Sequence, residues 1–524
     1  MDHIPSLQLI LSQAGLDWIY ENFEFIKDGK CVKFKEAMAA CTTTPFHTAV
    51  VRGSQADSTA PIVYKVPYDG GWKPHAPLPP PADKVLTNTA LAKQLKVWID
   101  GGIIERDAGL AVAWTSDFFG AKGSLKDAYF VMIGAGSAMG PFAKLLECGA
   151  NVVAIDIPGK WGSPARPTLW RRLVKEARNS RGSIIFPVST SQDDCKDDDA
   201  LCAAAGADLT QQPFEIANWL VQWAKTLPPE ARVVIGNYTY LDGDMHVKLA
   251  LCADVLIQAL RKERPSTSVA FLCTPTDLHV VSEEAAEANL KAYEAGGGST
   301  LHLFFENILM LLTGYKGLKK NYMTPAVYKD ETTTREIHLV DGLSVAQGPN
   351  YALAKRMQHW RAVIEYEKGA VVSSMVAPST ATLSVIHNRT FAWAYGGMPY
   401  FGYEIFKQET TNAIMAAILI QDVFNEWGPK NPKNRKTFGI KTALEVFKWQ
   451  AVHGGLWRSP YKVDSIGEAS VLIYFMTRFV RPYLFQYGLA LAAVWYGRQN
   501  GKKSSPSMPQ RRIAYKLLAR PVTQ

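Results

Sequence analysis

From about residue 126 onward, short apolar segments alternate with longer segments in which apolar positions recur at helical spacing. The short segments are typical of strands buried on both faces, and the longer ones are typical of helices that cover a sheet. The predicted strands span 128–133, 151–155, 183–188, 232–235 and 268–273. The predicted helices span 139–147, 169–177, 213–226 and 246–261. This alternation predicts an α/β fold with a doubly wound parallel sheet.

The alternation also divides the rest of the chain. It is interrupted at about 280–345, which we interpret as an insertion, and it resumes with a helix at 350–367 and a strand at 370–377. We expect an additional, mainly helical region on each side of the sheet domain. The three predicted regions are the N-terminal accessory region 1–122, the sheet domain 123–395 and the helical, apolar and basic C-terminal region 396–524.

Composition and charge narrow the class of protein. The chain has 524 residues, of which 47% are hydrophobic and 20% charged, so it has enough apolar surface to fold and is unlike a disordered chain. The net charge of +9 suits an anionic cofactor, a phosphorylated substrate or an acidic membrane surface, and it does not indicate a nucleic-acid partner. The seven cysteines include no CxxC pair, which favours a reducing compartment and a cytoplasmic location.

A glycine-rich turn follows the first predicted strand. Gly134, Gly136 and Gly140 lie between this strand and the next helix, where small residues allow the backbone to approach a phosphate. Asp156 ends the second predicted strand, 22 positions after Gly134, and a carboxylate at that place accepts hydrogen bonds from ribose hydroxyls. The strands, the turn and the acid together predict a nucleotide-binding site.

This arrangement resembles that of the short-chain dehydrogenase/reductase superfamily, whose members have a Rossmann-like fold and bind NAD or NADP. The family's GxxxGxG turn is matched from Gly134 to Gly140, with Ala138 at the place of the middle glycine. Asp208, in the segment Gly-Ala-Asp-Leu-Thr, is similar to the family's aspartate that contacts adenine. The resemblance implies that the cofactor contacts Gly134, Gly136, Ser137, Ala138, Met139, Gly140, Asp156, Asp208, Leu209, Asn237, Lys355, Pro378 and Thr380.

The choice between NAD and NADP stays open. Asp156 favours NAD, because its carboxylate repels the 2′-phosphate of NADP, whereas Lys160 and Arg166 follow closely and favour NADP. At the nicotinamide end, the resemblance implies contacts from the Pro-containing turn at Pro378, with Thr380 or Thr382 as the contacting threonine.

The family's catalytic pair, Tyr-x-x-x-Lys on one helical face, has three matches in the chain: Tyr315/Lys319, Tyr351/Lys355 and Tyr403/Lys407. The second match begins a predicted helix that leads into an apolar strand, as in the family, so the resemblance implies Tyr351 and Lys355. A nearby ammonium lowers the pKa of a phenol, so Tyr351 is expected to exchange a proton with a carbonyl oxygen. The family's serine, which hydrogen-bonds this oxygen, corresponds to Thr274, with Ser344 as the alternative.

The resemblance implies an NAD(P)-dependent oxidoreductase that interconverts a carbonyl and an alcohol or reduces an activated double bond. Apolar segments at 301–315 and 469–496 favour a hydrophobic substrate, such as a lipid or a polyketide-like chain. Two alternatives stay open. One is an S-adenosylmethionine-dependent methyltransferase, although such enzymes usually carry an acid where Met132 stands, and the other is a non-catalytic nucleotide-binding scaffold. The histidines lack the spacing of metal ligands, so we predict no metal site.

The most apolar stretch, 469–496, is interrupted by Arg478, Arg481 and Pro482, so it contains no run of typical bilayer-spanning length. Three interpretations are open. The stretch forms a buried helical hairpin, or it lies on a membrane surface with the basic tail against anionic lipids, or it is an interface in a homo-oligomer. Peripheral membrane contact through 469–524 is therefore one prediction among three.

Overall fold

The computed structural model describes residues 7–27, 29–74, 82–159, 168–273, 277–297, 317–329, 334–344 and 347–479. The strands are β1 Glu24–Lys27, β2 Lys30–Lys33, β3 His47–Arg52, β4 Val66–Pro67, β5 Val85–Leu86, β6 Ala128–Ile133, β7 Asn151–Ile155, β8 Ser183–Val188, β9 Arg232–Asn237, β10 Ser268–Cys273, β11 Leu278–Val280, β12 Ala326–Lys329, β13 Thr334–Ile337, β14 Leu339–Asp341 and β15 Val372–Val376.

The α-helices are α1 Leu7–Asn22, α2 Phe34–Ala40, α3 Asn88–Asp100, α4 Arg106–Gly120, α5 Phe142–Glu147, α6 Thr168–Arg178, α7 Asp198–Ala204, α8 Pro213–Lys225, α9 Asp244–Glu263, α10 Glu283–Gly297, α11 Gly348–Glu367, α12 Leu383–Ile386, α13 Arg389–Gly397, α14 Gln408–Phe424 and α15 Gly467–Phe479. Short 3-10 helices span Gln192–Asp194, Met398–Phe401, Pro432–Asn434, Ala443–Lys448, Leu456–Arg458 and Val463–Ser465.

A seven-stranded, mostly parallel sheet forms the centre of the molecule, which confirms the predicted α/β class. Its strand order is β15-β10-β9-β6-β7-β8-β3. Six strands are parallel, and β3 pairs antiparallel with β8 at one edge. All six predicted strands are present. Four have the predicted bounds, β9 continues two residues further, and β15, at Val372–Val376, is shorter than the predicted 370–377. The sequence analysis did not predict β3.

The parallel strands follow a recognisable order. Numbered along the chain, β6, β7, β8, β9, β10 and β15 lie in the spatial order 3-2-1-4-5-6, which is the order of sheets that bind dinucleotides. The chain moves outward from β6 to β8 and then returns to β9 on the other side of β6. The connections therefore diverge between β6 and β9, and ligands of open α/β sheets bind at the carboxyl ends of strands beside such a point.

Both faces of the sheet are covered, because alternate residues of each strand point to opposite faces. On β6, Val131 and Ile133 lie in one hydrophobic core together with residues of α1, α8, α9 and α11. Phe130 and Met132 lie in a second core together with residues of α3, α4, α6 and α14. Burial on both faces explains why the strand sequences are continuously apolar.

The regions outside the predicted sheet domain contribute to these layers. β3, at His47–Arg52, extends the sheet, and Gly15 of α1 lies so close to the Trp360 ring of α11 that an added Cβ would come within 2.8 Å of it. Between β10 and α11 the chain leaves the sheet, and its described part contains α10 and the pairs β11–β14 and β12–β13. The region boundaries at 122/123 and 395/396 stay predictions.

The apolar stretch at 469–496 is described only in part. Its first residues belong to α15, which packs against α13 through edge-to-face contact of the Phe475 and Trp393 rings. Residues 480–496 lie outside the described residues. Among the helices that the structure describes, none combines the length and the apolarity needed to cross a bilayer.

Candidate functional site

The glycine turn lies at the carboxyl end of β6, between the ends of β7 and β9. Gly134 has a φ of +82°, in the left-handed region that favours glycine, and its amide donates to the carbonyl of Ile155 at 2.8 Å. A Cβ at Gly134 would come within 3.1 Å of the backbone nitrogen of Thr239. A glycine is therefore required by both the backbone conformation and the close approach of the β9 end.

Asp156 places a carboxylate beside this turn. The amide of Gly136 donates to Asp156 Oδ2 at 2.7 Å, and the amide of Ile157 donates to Oδ1 at 2.8 Å. Burial raises the pKa of Asp156, although these two hydrogen bonds oppose the rise. Arg172 of α6 donates to the carbonyl of Gly136 at 3.2 Å, so the turn also has a guanidinium beside it. Acid, cation and glycine backbone thus meet at the end of β7.

The turn is longer than the sequence analysis predicts. Two tight turns follow β6, closed by hydrogen bonds from Ser137 to Gly134 at 3.0 Å and from Gly140 to Ser137 at 3.2 Å. The helix begins at Phe142, three residues later than predicted. Ser137, Ala138 and Met139 are partly exposed, so a ligand can reach their backbone. At Gly136 an added Cβ would collide with the side chain of Leu169, so α6 closes the turn on this side.

Asp208 and Leu209 lie next to the end of β7 but are directed inward. The amide of Ala207 donates to the carbonyl of Asp156 at 3.0 Å, which holds this segment against the strand end. Asp208 is only 5% exposed, and its Oδ1 accepts from the amide and the hydroxyl of Thr210 at 2.9 and 2.7 Å. A cleft of about 200 Å³ opens beside it, lined in part by Pro158, Gly206 and Gln212. The predicted adenine contact of Asp208 stays a prediction.

Asn237 is the last residue of β9, directly opposite Ile133 of β6 and Phe271 of β10. Its side chain is buried, and Oδ1 accepts from the amide and the hydroxyl of Thr239 at 3.1 and 2.7 Å. Asn237 therefore stabilises the turn that faces Gly134, at the point where the connections diverge.

Tyr351 and Lys355 lie in the N-terminal half of α11, under the end of β10. Lys355 is 6% exposed, and its Nζ donates to the carbonyl of Leu272 at 3.1 Å and to Gln358 Oε1 at 3.3 Å. The same Nζ lies 5.6 Å from the centre of the Tyr351 ring. Burial lowers the pKa of Lys355 to about 8, because the charged form is costly in an apolar surrounding. A cation beside a phenol is the arrangement that the family resemblance implies.

His246, in the first turn of α9, packs against Tyr351 of α11. Its ring stacks on that of Tyr351, with centres 5.3 Å apart and an interplanar angle of 13°. The ring of Tyr240 contacts both, at 5.2 Å from His246 and 6.0 Å from Tyr351. Burial and, secondly, the charge of Lys355 lower the pKa of His246 to about 4. The imidazole is therefore neutral near pH 7.

A second histidine lies one turn beyond Lys355 on α11. His359 Nδ1 lies 3.2 Å from Asp277 Oδ2, and Arg356 pairs with Asp277 Oδ1 at 2.5 Å. Burial lowers the pKa of His359, but Cys273 and Asp277 overcome this effect and raise it to about 9. Burial raises the pKa of Asp277, but His359 and Arg356 lower it to about 2. Both groups are therefore charged at neutral pH.

The other predicted residues have different surroundings. Thr274 and Thr276 lie outside the described residues, as do Lys160, Arg166 and Tyr315, while Ser344 is described and partly exposed. Pro378 and Thr380 form a buried turn after β15, in which Thr380 Oγ1 donates to the Pro378 carbonyl at 2.9 Å and lies 2.9 Å from Thr411 Oγ1.

The third Tyr/Lys match, Tyr403/Lys407, lies in non-helical chain, and each partner has another contact. Tyr403 donates to the Tyr461 carbonyl at 3.3 Å, and Lys407 pairs with Asp69 at 2.8 Å. These two side chains therefore lack the shared helical face of a catalytic pair.

The glycine turn with Asp156 and the Tyr351/Lys355 pair both lie at the carboxyl ends of the parallel strands. Neighbouring strands lie about 4.8 Å apart, so the end of β10, which holds Lys355, is about 10 Å from the glycine turn across β9. Sequence reasoning missed His246, Asp277, Gln358 and His359. His359 follows Lys355 by four residues, as Lys355 follows Tyr351, so this spacing could have pointed to His359. Nothing in the sequence singles out His246.

Comparison of the sequence with known protein families finds no family that matches, and comparison with curated proteins finds no match either. Within the residues that the structure describes, no group of three or more His, Cys, Asp or Glu side chains is arranged to hold a metal ion.

Proposed function

We propose that this protein is an NAD(P)-dependent oxidoreductase with a doubly wound, Rossmann-like sheet, similar to the short-chain dehydrogenase/reductase superfamily. One observation carries the proposal: Lys355 and Tyr351 lie at the same carboxyl end of the sheet as the glycine turn, with only β9 between the end of β10 and that turn. Helices on both faces and the 3-2-1-4-5-6 strand order support the doubly wound interpretation.

The residues at the carboxyl ends of the strands suit the two ends of a dinucleotide. The partly exposed turn at 136–139 lies where the pyrophosphate would sit, with Arg172 as a nearby cation, and Asp156 would accept from the adenosine ribose. The Ser137 amide, which now donates to Gly134, would have to exchange that hydrogen bond for one to the phosphate. Gly136 N–H is engaged by Asp156, so ribose binding would exchange that hydrogen bond for one from a hydroxyl. Lys355 would hold the second ribose at the end of β10.

Tyr351 acts as the acid or base in the proposed reaction. A bound nicotinamide supplies hydride exchange with a substrate carbon. When a carbonyl is reduced, its oxygen gains negative charge, and the Tyr351 phenol donates a proton to it, which leaves a phenolate. The Lys355 ammonium over the same ring stabilises that phenolate. In the direction of oxidation, the phenolate removes the proton from the alcohol.

The substrate and the location of the protein are further proposals. We propose a hydrophobic small-molecule substrate, because the described apolar surface includes Leu383, Phe391 and Phe475, each more than a third exposed, near α15. We also propose that the protein is cytoplasmic and contacts a membrane peripherally through 469–524. The exposed side chain of Phe475 in this segment supports that contact. A homo-oligomer that buries this surface is the competing proposal.

A methyltransferase is the second candidate, because Asp156 beside the glycine turn suits the ribose of S-adenosylmethionine equally well. A buried lysine beside a tyrosine has no role in that reaction, so the oxidoreductase accounts for more of the site. A scaffold that binds a nucleotide without chemistry is the third.

Ligand binding by the full-length protein separates these candidates. We expect NADH or NADPH, but not S-adenosylmethionine, to raise the melting temperature. With a panel of aliphatic and aromatic ketones, Tyr351→Phe should keep cofactor binding and lose about 100-fold or more in kcat. Tyr366→Phe, on the same helix, is the matched control and should keep full turnover. Stabilisation by S-adenosylmethionine alone would contradict the oxidoreductase, and full turnover in Tyr351→Phe would remove its acid.

A further inference from the structure

We propose that His246 is a second catalytic residue, whose Nε2–H donates a hydrogen bond to the substrate oxygen that Tyr351 protonates. This inference rests on the proposed function and assigns a residue to which the resemblance gives no role. It concerns three rings in mutual contact, those of Tyr240, His246 and Tyr351.

A hydrogen bond from the backbone determines the tautomer of His246. The amide of Leu241 donates to His246 Nδ1 at 3.3 Å, and a backbone amide can only donate, so Nδ1 must carry the lone pair. In a neutral imidazole the proton then resides on Nε2. The low pKa, about 4, keeps the ring in this neutral form at physiological pH. Nε2–H is therefore a fixed hydrogen-bond donor.

This donor has no partner among the atoms that the structure describes. His246 is 1% exposed, and Nε2 is buried without a hydrogen bond. A buried donor without an acceptor costs free energy that a suitably placed acceptor would recover. A ligand oxygen would satisfy it, and the neighbouring tyrosine is the proposed proton donor for such an oxygen.

The ring stack holds His246 and Tyr351 in a fixed relation. Their planes are nearly parallel, and Tyr240 packs edge-on against Tyr351 and at an interplanar angle of 55° against His246. Tyr240 is half exposed, and its hydroxyl donates to Asp242 at 2.6 Å, so the stack extends from the protein surface to buried His246. The stack brings the imidazole beside the Tyr351 ring, and the proposal places the substrate oxygen between His246 Nε2 and the Tyr351 hydroxyl.

The chemistry assigns different tasks to the two donors. A neutral imidazole is too weak an acid to give up its Nε2 proton, so His246 donates a hydrogen bond while Tyr351 transfers the proton. The bond strengthens as the oxygen becomes negative, so it stabilises the transition state more than the bound ketone. Its loss should therefore lower kcat and leave KM nearly unchanged.

Two substitutions separate donation from packing. His246→Phe keeps a flat ring in the stack and removes the donor, and we expect kcat for ketone reduction by NADH or NADPH to fall about 100-fold. His246→Gln removes the ring and keeps an N–H donor, and it should retain more activity than His246→Phe. His387→Phe is the control for a histidine at the surface and should change nothing. The opposite order, with Phe active and Gln inactive, would show a packing role and overturn the inference.

A spectroscopic readout tests the donor without turnover. In protein with ¹⁵N-labelled histidine, the His246 resonance is identified as the one that disappears in His246→Gln. We expect it to show the proton on Nε2 down to about pH 5. Acetophenone or cyclohexanone added with NAD⁺, which cannot reduce them, should shift that resonance. A proton on Nδ1, or no shift with either ketone, would overturn the assignment. The proposed function fails separately if neither NADH nor NADPH stabilises the unmodified protein.

Discussion

Two regions of α11, around Lys355 and around Arg361, each carry a buried cation, yet they differ in how its charge is balanced. In the C-terminal half, Arg361 donates to Asp254 at 2.6 and 2.8 Å and to Glu365 at 3.1 Å. Arg261 donates to the other oxygen of Glu365 at 2.8 Å, and Tyr20 of α1 donates to Asp254 at 2.9 Å. Each charge has an opposite charge within hydrogen-bond distance, and the network ties α1, α9 and α11 together.

The region around Lys355 lacks such a network. Lys355 has carbonyl and amide acceptors but no carboxylate at salt-bridge distance in the part of the chain that the structure describes. Among the same described residues, His246 Nε2, Gln358 Nε2 and His359 Nε2 are buried without hydrogen bonds. A satisfied network stabilises one arrangement, whereas unsatisfied polar groups cost free energy that a ligand can recover. On the proposed function, Arg361 stabilises the fold and Lys355 serves ligand binding.

Arg361→Met should produce the largest effect. It leaves Asp254 and Glu365 buried with too few partners, so we expect the free energy of unfolding to fall by about 3–5 kcal/mol, measured by urea denaturation. The matched control is Asp198→Asn, in the half-exposed Arg178–Asp198 pair, which should cost less than about 1 kcal/mol. Equal losses in the two variants would contradict the structural role of the C-terminal half.

Asp277→Asn should have an intermediate effect, because it removes the carboxylate that pairs with both His359 and Arg356. We expect a loss of about 2 kcal/mol at pH 6. The folded-state pKa of His359 is raised to about 9, above its unfolded value near 6.5. The contribution of the pair is therefore complete below about pH 6.5 and disappears as the pH rises through 9. Unfolding measured at pH 6 and pH 9.5 should show the gap between variant and unmodified protein narrowing, and a constant gap would be inconsistent with the pair.

The titration of Lys355 should have the smallest of these effects, a change in how kcat depends on pH. With a pKa of about 8, Lys355 loses its charge as the pH rises through 8, so kcat for ketone reduction should fall on the alkaline side. Lys355→Arg keeps the charge at all accessible pH values. The fall of kcat should therefore shift to higher pH in this variant, even if its maximal rate is lower. An unmoved limb would mean that another group titrates.

Much of the sheet was predictable because its parallel strands are buried on both faces. An apolar run such as 128–133 or 268–273 needs no knowledge of its partner to be recognised. β3 was not predicted, because only every second residue of its later part is buried and its partner β8 lies far along the chain. The start of α5 was placed three residues early, because the sequence does not reveal that Ser137 closes a second turn.

The site was predictable only where a spacing rule applies. Gly134, Asp156 and Tyr351/Lys355 each follow from a short motif, and whether they act as proposed is for the experiments above to decide. His246 and Asp277 come from segments that carry no motif, and their positions depend on how α9 and the β10–β11 segment pack against α11. Such contacts are long-range, so a pattern of local spacing does not contain them.

The position of β3 has a consequence for how the chain folds during synthesis. The strand leaves the ribosome about 130 residues before β8, the strand with which it pairs in the sheet. At the other edge, β15 is made about 100 residues after its neighbour β10. Pairings of such high sequence separation slow folding and leave strand edges exposed while they wait. The nascent chain is therefore vulnerable to aggregation until residue 376 has emerged, and this vulnerability should be greater than that of the finished protein.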